Sequence, residues 1–459
     1  MELNVVILAA GQGTRMRSDL PKVLHTLGGF SLLSHVVKTA TRINAQCTCV
    51  VYGHAGDQVL KTGLPVVWVE QAEQLGTGHA VAQALPFLPE TGTVLVLYGD
   101  VPLIQPETLQ ALLAKQSLTP SLVLLTVVLP DPKGYGRILR NAERQVIGIV
   151  EEKDATPEQR AICEVNTGIL AANKTDLTRW IQKINNRNSQ KEYYLTDIVG
   201  FAVAEGIPVH AVHPETISEV LGVNSRAQLA ELERVHQSRQ AQVLMSQGVT
   251  LRDPARLDVR GTVQTGKDVE IDIDVILEGQ VQIADRVKIG PYCYLKDVTL
   301  SEGVEIRAHS VLEGVTIGAS STVGPFSRLR PGTELGPHVR VGNFVEIKKS
   351  QVGEGSKVNH LSYIGDAQIG SDVNVGAGTI TCNYDGANKH LTQIGDRAFV
   401  GSNTALVAPV EIGSGATIGA GSVITGKAPP EELTLSRAPQ KTYQGWKRPV
   451  KKGKLGENF

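Results

Sequence analysis

Residues 311–350 read VLEGVTIGASSTVGPFSRLRPGTELGPHVRVGNFVEIKKS, and aliphatic side chains recur through them at Val311, Ile317, Val323, Leu329, Leu335, Val341 and Ile347, one every six residues. The same interval runs earlier through Val263, Val269, Val275, Val281 and Val287, and later through Ile394, Val400, Leu406, Ile412, Ile418 and Ile424. Six matches neither the 3.6-residue turn of a helix nor the two-residue alternation of a strand. It fits a parallel β-helix in which each six-residue unit makes one short strand and one turn, three units close a coil, and the aliphatic residue points inward. At about 18 residues per coil and about 4.8 Å per strand spacing, residues 250–437 make roughly ten coils and a prism on the order of 50 Å long. The period breaks between Ile380 and Ile394, where TCNYDGANKHLTQ predicts an external loop, a favoured place for function.

Glycine marks the same half: residues 1–226 hold 18 of the 47 glycines and the shorter stretch 249–437 holds 25. Between the halves, residues 226–247 contain no glycine or proline and carry Leu229, Leu232, Val235, Val243 and Leu244 among helix formers, which predicts a connecting helix stopped at Gly248. The first half alternates apolar runs (5–8, 48–51, 66–69, 94–97 and 122–128) with helical stretches (31–43 and 108–114). That alternation implies an α/β, Rossmann-like domain with a mostly parallel sheet. The expected organisation is 1–225, a nucleotide-binding domain; 226–248, a linker helix; 249–437, the hexapeptide-repeat β-helix; and 438–459, a basic tail. A chain of 459 residues exceeds what one core supports.

With 45 basic and 46 acidic residues, the charge balance excludes a strongly basic nucleic-acid binder. No run of 18 apolar residues exists, and Val5 to Ala10 lacks a basic leader, so neither a membrane span nor a secretory signal is expected. Five scattered cysteines make no disulfide framework, and only Cys47-x-Cys49 has close spacing; a reduced, cytoplasmic protein is expected.

The chemistry begins where the first apolar run meets Ala9-Ala10-Gly11-Gln12-Gly13-Thr14-Arg15-Met16, followed by Leu20-Pro21-Lys22-Val23-Leu24. Gly11 and Gly13 let backbone N–H groups close on phosphate oxygens, and Arg15 and Lys22 supply positive charge. The loop is neither a Walker A motif, which needs GKS or GKT, nor a dinucleotide fingerprint, which needs a third glycine at 16.

LAAGQGTRMRSDLPKVL, residues 8–24, resembles the signature of the sugar-1-phosphate nucleotidyltransferases. With the hexapeptide half attached, the chain resembles the bifunctional bacterial N-acetylglucosamine-1-phosphate uridyltransferase/glucosamine-1-phosphate acetyltransferase family. QAEQLGTGHA at 71–80, LYGDVPL at 97–103, GYGRI at 134–138, EVNTGIL at 164–170, RLRPG at 328–332, GNFVEIKK at 342–349 and GAGTITCNYDG at 376–386 carry that likeness over nearly the whole chain.

The resemblance implies a UTP and sugar site built by Leu8, Ala9, Ala10, Gly11, Lys22, Gln71, Gly76, Thr77, Tyr98, Gly99, Asp100, Gly136, Glu151, Asn166 and Asn224, with Arg15 and Lys22 catalytic. Leu8, Gln71, Gly76 and Thr77 face the uracil; Gly136, Glu151 and Asn166 face the sugar. Asp100, expected at the carboxyl end of its strand, and Asn224 are the implied Mg²⁺ ligands. In the second half His360 is the implied base, since imidazole titrates near neutral pH. Arg330, Lys348 and Tyr363 clamp glucosamine-1-phosphate with Asn374, while Asn383 and Tyr384 adjoin both that sugar and acetyl-CoA. Acetyl-CoA is expected along Ala377, Ser402, Ala420 and Arg437. The resemblance further implies a left-handed coil and a homotrimer with acetyltransferase sites between subunits, although the period itself reveals neither. Two alternatives remain at this level: another nucleotide or sugar for the first half, and a non-catalytic β-helix scaffold.

Overall fold

The protein is described from a computed structural model, which covers residues 2–450 except 12, 54, 55 and 119. The expectation of a basic end at Lys451, Lys452 and Lys454 lies outside the described residues. The chain forms two compact units. The first comprises residues 1–247, 253–263 and 276–279, and the second residues 248–252, 264–275 and 280–459. Among the described residues no helix is long and apolar enough to cross a membrane.

The first unit is built on a sheet whose strands run, edge to edge, Val209–Val212, Leu122–Val128, Glu164–Asn173, Thr93–Tyr98, Leu3–Leu8, Cys47–Tyr52 and Val67–Glu70. All neighbours are parallel except Glu164–Asn173, which is antiparallel to both flanking strands. The apolar runs are continuous because both faces are covered. Val5 and Ile7 pack with Leu33, Val36 and Leu109 on one side, whereas Val6 and Leu8 pack with Ala80, Val81 and Trp180 on the other. Helix Leu32–Arg42 starts at Ser31, whose Oγ accepts the Ser34 N–H at 3.1 Å. Helix Arg226–Ser246 is capped in the same way by Ser225 and seats Leu232 with Met16, Leu27, Leu32 and Val223.

The second unit is a parallel β-helix. Glu270, Lys288, Glu305, Thr322, Arg340, Lys357 and Asn374 are successive partners on one face, spaced by 17 or 18 residues. The next step, from Asn374 to Phe399, takes 25 because the polar segment after Cys382 is inserted there. Each unit sends two side chains inward, not one. Residues two apart on a strand share a face, so Val269 and Ile271, Val275 and Leu277, and Val287 and Ile289 are all buried. Val311 and Val263 are therefore corrections to the single-slot reading: Val311 is half-buried while its neighbour Leu312 fills the core, and Val263 is half-buried too. Many first slots hold a hydroxyl. Ser321 Oγ donates to the Gly336 carbonyl and accepts the Val339 N–H, both at 2.9 Å, and Ser356 repeats this with Gly370 and Val373. These bonds satisfy buried polar groups that would otherwise destabilise the coil.

Candidate active sites

At the carboxyl ends of strands Leu3–Leu8 and Thr93–Tyr98 lies a pocket of about 330 Å³, where ligands bind in open α/β sheets. Its lining includes Leu8, Ala9, Ala10, Gly11, Lys22, Gln71, Gly76, Thr77, Tyr98 and Asp100. The loop after Leu8 is held from behind: Ala9 N donates to the Val51 carbonyl at 2.8 Å, and Gln74 Nε2 donates to the Ala10 carbonyl at 2.6 Å. A Cβ on Gly13 would stand 2.6 Å from Lys22 Cβ, so glycine there permits the lysine stem to pass.

Lys22 Nζ donates to Asp100 Oδ2 at 2.5 Å and to Asn224 Oδ1 at 3.1 Å, with both ion-pair side chains largely buried. Asn224 arrives because Val223 N donates to the Asp100 carbonyl at 2.9 Å. Gln71 is buried, and its Nε2 donates to the Gly76 carbonyl at 3.2 Å and meets His79 Nδ1 at 3.1 Å, leaving Oε1 to accept. Thr77 Oγ1 accepts the Leu195 N–H at 3.1 Å.

Gly99, Gly136, Glu151, Asn166, Asn224 and Arg15 are not among the residues lining the pocket. Gly99 N donates to the Leu8 carbonyl at 2.9 Å and so braces the pocket floor. Gly136, Glu151 and Asn166 cluster beyond Tyr98: Asn166 N donates to the Gly136 carbonyl at 2.8 Å, and Glu151 Oε1 accepts from Thr196 Oγ1 at 3.0 Å. Burial raises the Glu151 carboxyl above its ordinary value, the Thr196 hydroxyl opposes this, and Asp154, Asp197 and Glu192 push the same way as burial. Burial, then the charges of Glu151 and Asp100, raises the Tyr98 phenol, so Tyr98 stays protonated as the wall between pocket and cluster. Arg15 is exposed on the short 3₁₀ turn Thr14–Met16. Gln74, Glu192, His79 and Thr196 belong to this site or its frame and were absent from the sequence reading. Gln74 and His79 lie inside the quoted segment 71–80; Glu192 and Thr196 carry no motif.

On the β-helix, Arg330 Nη1 pairs with Glu346 Oε1 at 2.9 Å, and Glu346 is the register partner of Tyr363. Asn383 Nδ2 donates to Asp366 Oδ2 at 2.5 Å and lies 3.5 Å from the Tyr363 hydroxyl. Lys348 stands beside Lys389 of the inserted loop, and hydrogen bonding and repulsion from Lys348 lower the Lys389 pKa. Two adjacent ammonium groups favour an anion. Tyr384 is exposed, and its hydroxyl donates to the Gly386 carbonyl at 2.6 Å.

His360 and Asn374 lie on the neighbouring sheet, and residues 361 and 362 join His360 to Tyr363. Exposed His360 is held by Asn343, its register partner one coil away, through Nδ1 and Asn343 Oδ1 at 3.1 Å. With Nδ1 donating, Nε2 is the basic nitrogen. From His360 a ladder climbs one edge: Gly378 N donates to the His360 carbonyl, Asn403 N to that of Ala377, Gly421 N to that of Ser402, and Arg437 Nη1 to that of Ala420. The structure thus aligns Ala377, Ser402, Ala420 and Arg437 in a column that begins at the His360 carbonyl.

A nucleotide-type pocket on an α/β sheet, followed by a six-residue-repeat β-helix, defines a nucleotidyltransferase joined to a hexapeptide transferase. Family models agree: a MobA-like NTP transferase domain matches residues 5–250, a GMPPB C-terminal domain residues 259–341, and the bacterial transferase hexapeptide (six repeats) residues 391–426. The Bifunctional protein GlmU of Methylococcus capsulatus is 59% identical over 454 residues, covering 98% of this chain and 98% of that protein. That of Alkalilimnicola ehrlichii is 55% identical over 457 residues, covering 99% and 98%. The chain belongs to the bifunctional GlmU family, and its second half is the left-handed parallel β-helix of hexapeptide repeats. A crystal structure of UDP-glucose pyrophosphorylase complexed with UDP-glucose covers 52% of this chain and all of its own, at 14% identity and a TM-score of 0.45.

Proposed function

We propose that this bifunctional enzyme acetylates glucosamine-1-phosphate with acetyl-CoA on its β-helix and then joins the product to UMP from UTP in its α/β half, giving UDP-N-acetylglucosamine. The working division is 1–225 for uridylyl transfer, 226–248 for the linker helix and 249–437 for acetyl transfer. In the first reaction a phosphate oxygen of the sugar attacks the α-phosphorus of UTP, the bond to the β-phosphate bridging oxygen breaks, and pyrophosphate leaves. Placement of the two phosphates and neutralisation of their charge carry most of the rate. The backbone after Leu8 and the ammonium of Lys22 hold the triphosphate; Gln71 and Thr77 read the pyrimidine edge; Glu151 and Asn166 hold the sugar hydroxyls and acetamide.

One observation carries this reading: Lys22 Nζ stands between Asp100 Oδ2 and Asn224 Oδ1. Two hard oxygen donors already converge on a cation, which is the donor chemistry that suits Mg²⁺. When bound there, Mg²⁺ would neutralise charge on the phosphates, while Lys22 turns to a phosphate oxygen.

In the second reaction the sugar amine attacks the thioester carbonyl, His360 Nε2 takes the amine proton, the C–S bond breaks, and that proton passes to the departing sulfur so that CoA leaves as the thiol. Arg330, Lys348 and Tyr363 hold the sugar phosphate, joined by Asn374. The edge column from Ala377 to Arg437 offers small residues for the pantetheine arm and a guanidinium for its phosphates. Asn383 and Tyr384 sit where sugar and acetyl-CoA adjoin. Trimerisation and a cytoplasmic location complete the proposal; exposed Phe326 and Phe344, stacked at 5.5 Å, provide apolar surface for subunit packing.

Purified protein given glucosamine-1-phosphate, acetyl-CoA, UTP and Mg²⁺, with each omitted in turn, tests the scheme. Thiol release independent of UTP, and pyrophosphate release that needs acetylated sugar and stops with chelator, is the expected pattern. Pyrophosphate from supplied N-acetylglucosamine-1-phosphate with no thiol under any condition would leave the β-helix as a scaffold.

A further inference from the structure

A second cavity of about 350 Å³ lies in the first unit, between helix Leu32–Arg42, the segment 102–106, helix Arg226–Ser246 and residues 261–263. Lys38, Arg42 and Arg239 line it, and none of its lining residues is Asp or Glu. The Lys38 ammonium sits 5.8 Å from the Phe30 ring centroid, and among the described residues neither Lys38 nor Arg42 has a carboxylate partner. Among the described residues, half-buried Arg239 is bonded only to neutral oxygens: the Leu103 carbonyl at 3.1 Å, Thr216 Oγ1 at 3.2 Å and Ser218 Oγ at 3.1 Å. Glu233, the nearby acid, is engaged elsewhere, by the Gly28 N–H at 2.9 Å and Gln237 Nε2 at 2.7 Å. Three cations facing one concave space without a counter-charge make a site for a compact anion, and arginine forks match phosphate best.

The wall of this cavity leads to the nucleotide pocket. Residues 102–105 follow directly from Asp100 and Val101, and their carbonyls are held from the cavity side. Arg239 Nη1 and Gln105 Nε2 (2.6 Å) both donate to the Leu103 carbonyl, and Thr39 Oγ1 donates to that of Ile104 at 3.3 Å. An anion that recruits Arg239 withdraws a donor from Leu103 and loosens the segment that positions Asp100.

We infer that this cavity is a regulatory site for a phosphate dianion whose occupancy slows uridylyl transfer. The binding half stands on the cavity alone; the regulatory half rests on the reading of Asp100 above.

The test uses full-length protein and inorganic phosphate, with chloride at equal ionic strength as control. Lys38 reactivity toward acetic anhydride is read by peptide mass spectrometry, with exposed Lys61 as internal reference. Phosphate is expected to protect Lys38 and not Lys61. Arg42→Ala, at an exposed position where folding is checked by thermal unfolding, is expected to weaken protection about tenfold, the loss of one charge-assisted contact, and Arg42→Lys to restore most of it. In parallel, UDP-sugar formation is followed by chromatography across a phosphate titration: saturating phosphate is expected to slow the native enzyme about fivefold, the low end of ordinary coupling, and Arg42→Ala to need about tenfold more phosphate for the same slowing. Absence of Lys38 protection, or protection undiminished in Arg42→Ala, overturns the site. A rate that phosphate leaves unchanged, or slowing that sets in at the same phosphate concentration in Arg42→Ala, overturns the regulation. Protein that forms no UDP-sugar even without phosphate would refute the uridylyl reading, while Lys38 protection still decides the site.

Discussion

Replacing Gly168 with alanine isolates one contact that shapes the proposed sugar site. Gly168 lies in the strand Glu164–Asn173, where the pairing register shifts between Asn166 and Leu170, and its φ is +85°. An alanine Cβ would stand 2.4 Å from Tyr98 Cε2, 2.6 Å from Cζ and 2.7 Å from the phenol oxygen. Forcing an L side chain into that backbone region costs roughly 1–2 kcal/mol, and displacing a buried ring adds about 1–3 kcal/mol. Gly134 supplies the control. Its φ is +87°, yet nothing lies within 4 Å of its Cβ position, so Gly134→Ala bears the backbone cost alone. For a unit of this size about 1 kcal/mol moves the melting temperature by about 2–4 °C. Calorimetry should show the first unit's transition lowered by about 4–20 °C in Gly168→Ala and by clearly less in Gly134→Ala. KM for the sugar phosphate should rise only in Gly168→Ala, because Tyr98 is pushed toward the pocket. Equal melting shifts and unchanged KM in the two variants would refute the claim that Tyr98 is held by this contact.

Three further outcomes are expected. Ile347 is fully buried and in register with Leu329 and Ile364, so Ile347→Ala should destabilise the β-helix by about 2–5 kcal/mol and lower its calorimetric transition while sparing that of the first unit. Burial, with His35 as the largest neighbouring charge, pushes His236 down to about 4 from 6.5; the unfolded chain then binds the extra proton, so stability is complete above about 6.5 and falls toward pH 4 by up to roughly 3 kcal/mol. Unfolding of the native protein across that range should show the slope, and His236→Gln should flatten it. Asn343→Ala removes the acceptor of His360 Nδ1 and should reduce thiol release about tenfold, the kinetic equivalent of one hydrogen bond near 1.4 kcal/mol, with pyrophosphate release unchanged.

The β-helix was legible because every coil returns a side chain to the same inward slot, and the six-residue interval from Ile317 to Ile347 registers this directly. The first slot of each pair was harder to see in the later coils. It alternates among valine, serine and threonine, as at Val315, Ser321, Ser327 and Thr333, so hydrophobicity alone does not mark it. In the α/β half, Leu8 to Gly11, Lys22, Gln71, Gly76, Thr77, Tyr98 and Asp100 were read from contiguous segments, and all line one pocket. Glu192, Thr196 and the pairing of Lys22 with Asn224 come from chain segments up to 202 residues apart, which no local pattern records. Arg15 stands exposed on the short 3₁₀ turn just past that lining, so its phosphate contact rests on its place in the motif and not on the pocket geometry. The cationic cavity at Lys38, Arg42 and Arg239 was invisible for the same reason as Glu192, since three separate elements build it.

The central claim is that two sites work independently on one chain. The most direct measurement compares His360→Ala and Asp100→Ala, both shown to be folded and of native oligomeric state, by following free thiol and pyrophosphate separately from supplied glucosamine-1-phosphate and N-acetylglucosamine-1-phosphate. His360→Ala should lose thiol release and keep pyrophosphate release from the acetylated sugar, and Asp100→Ala should do the reverse. Loss of both activities in either folded variant, or retention of thiol release without His360, would contradict the account.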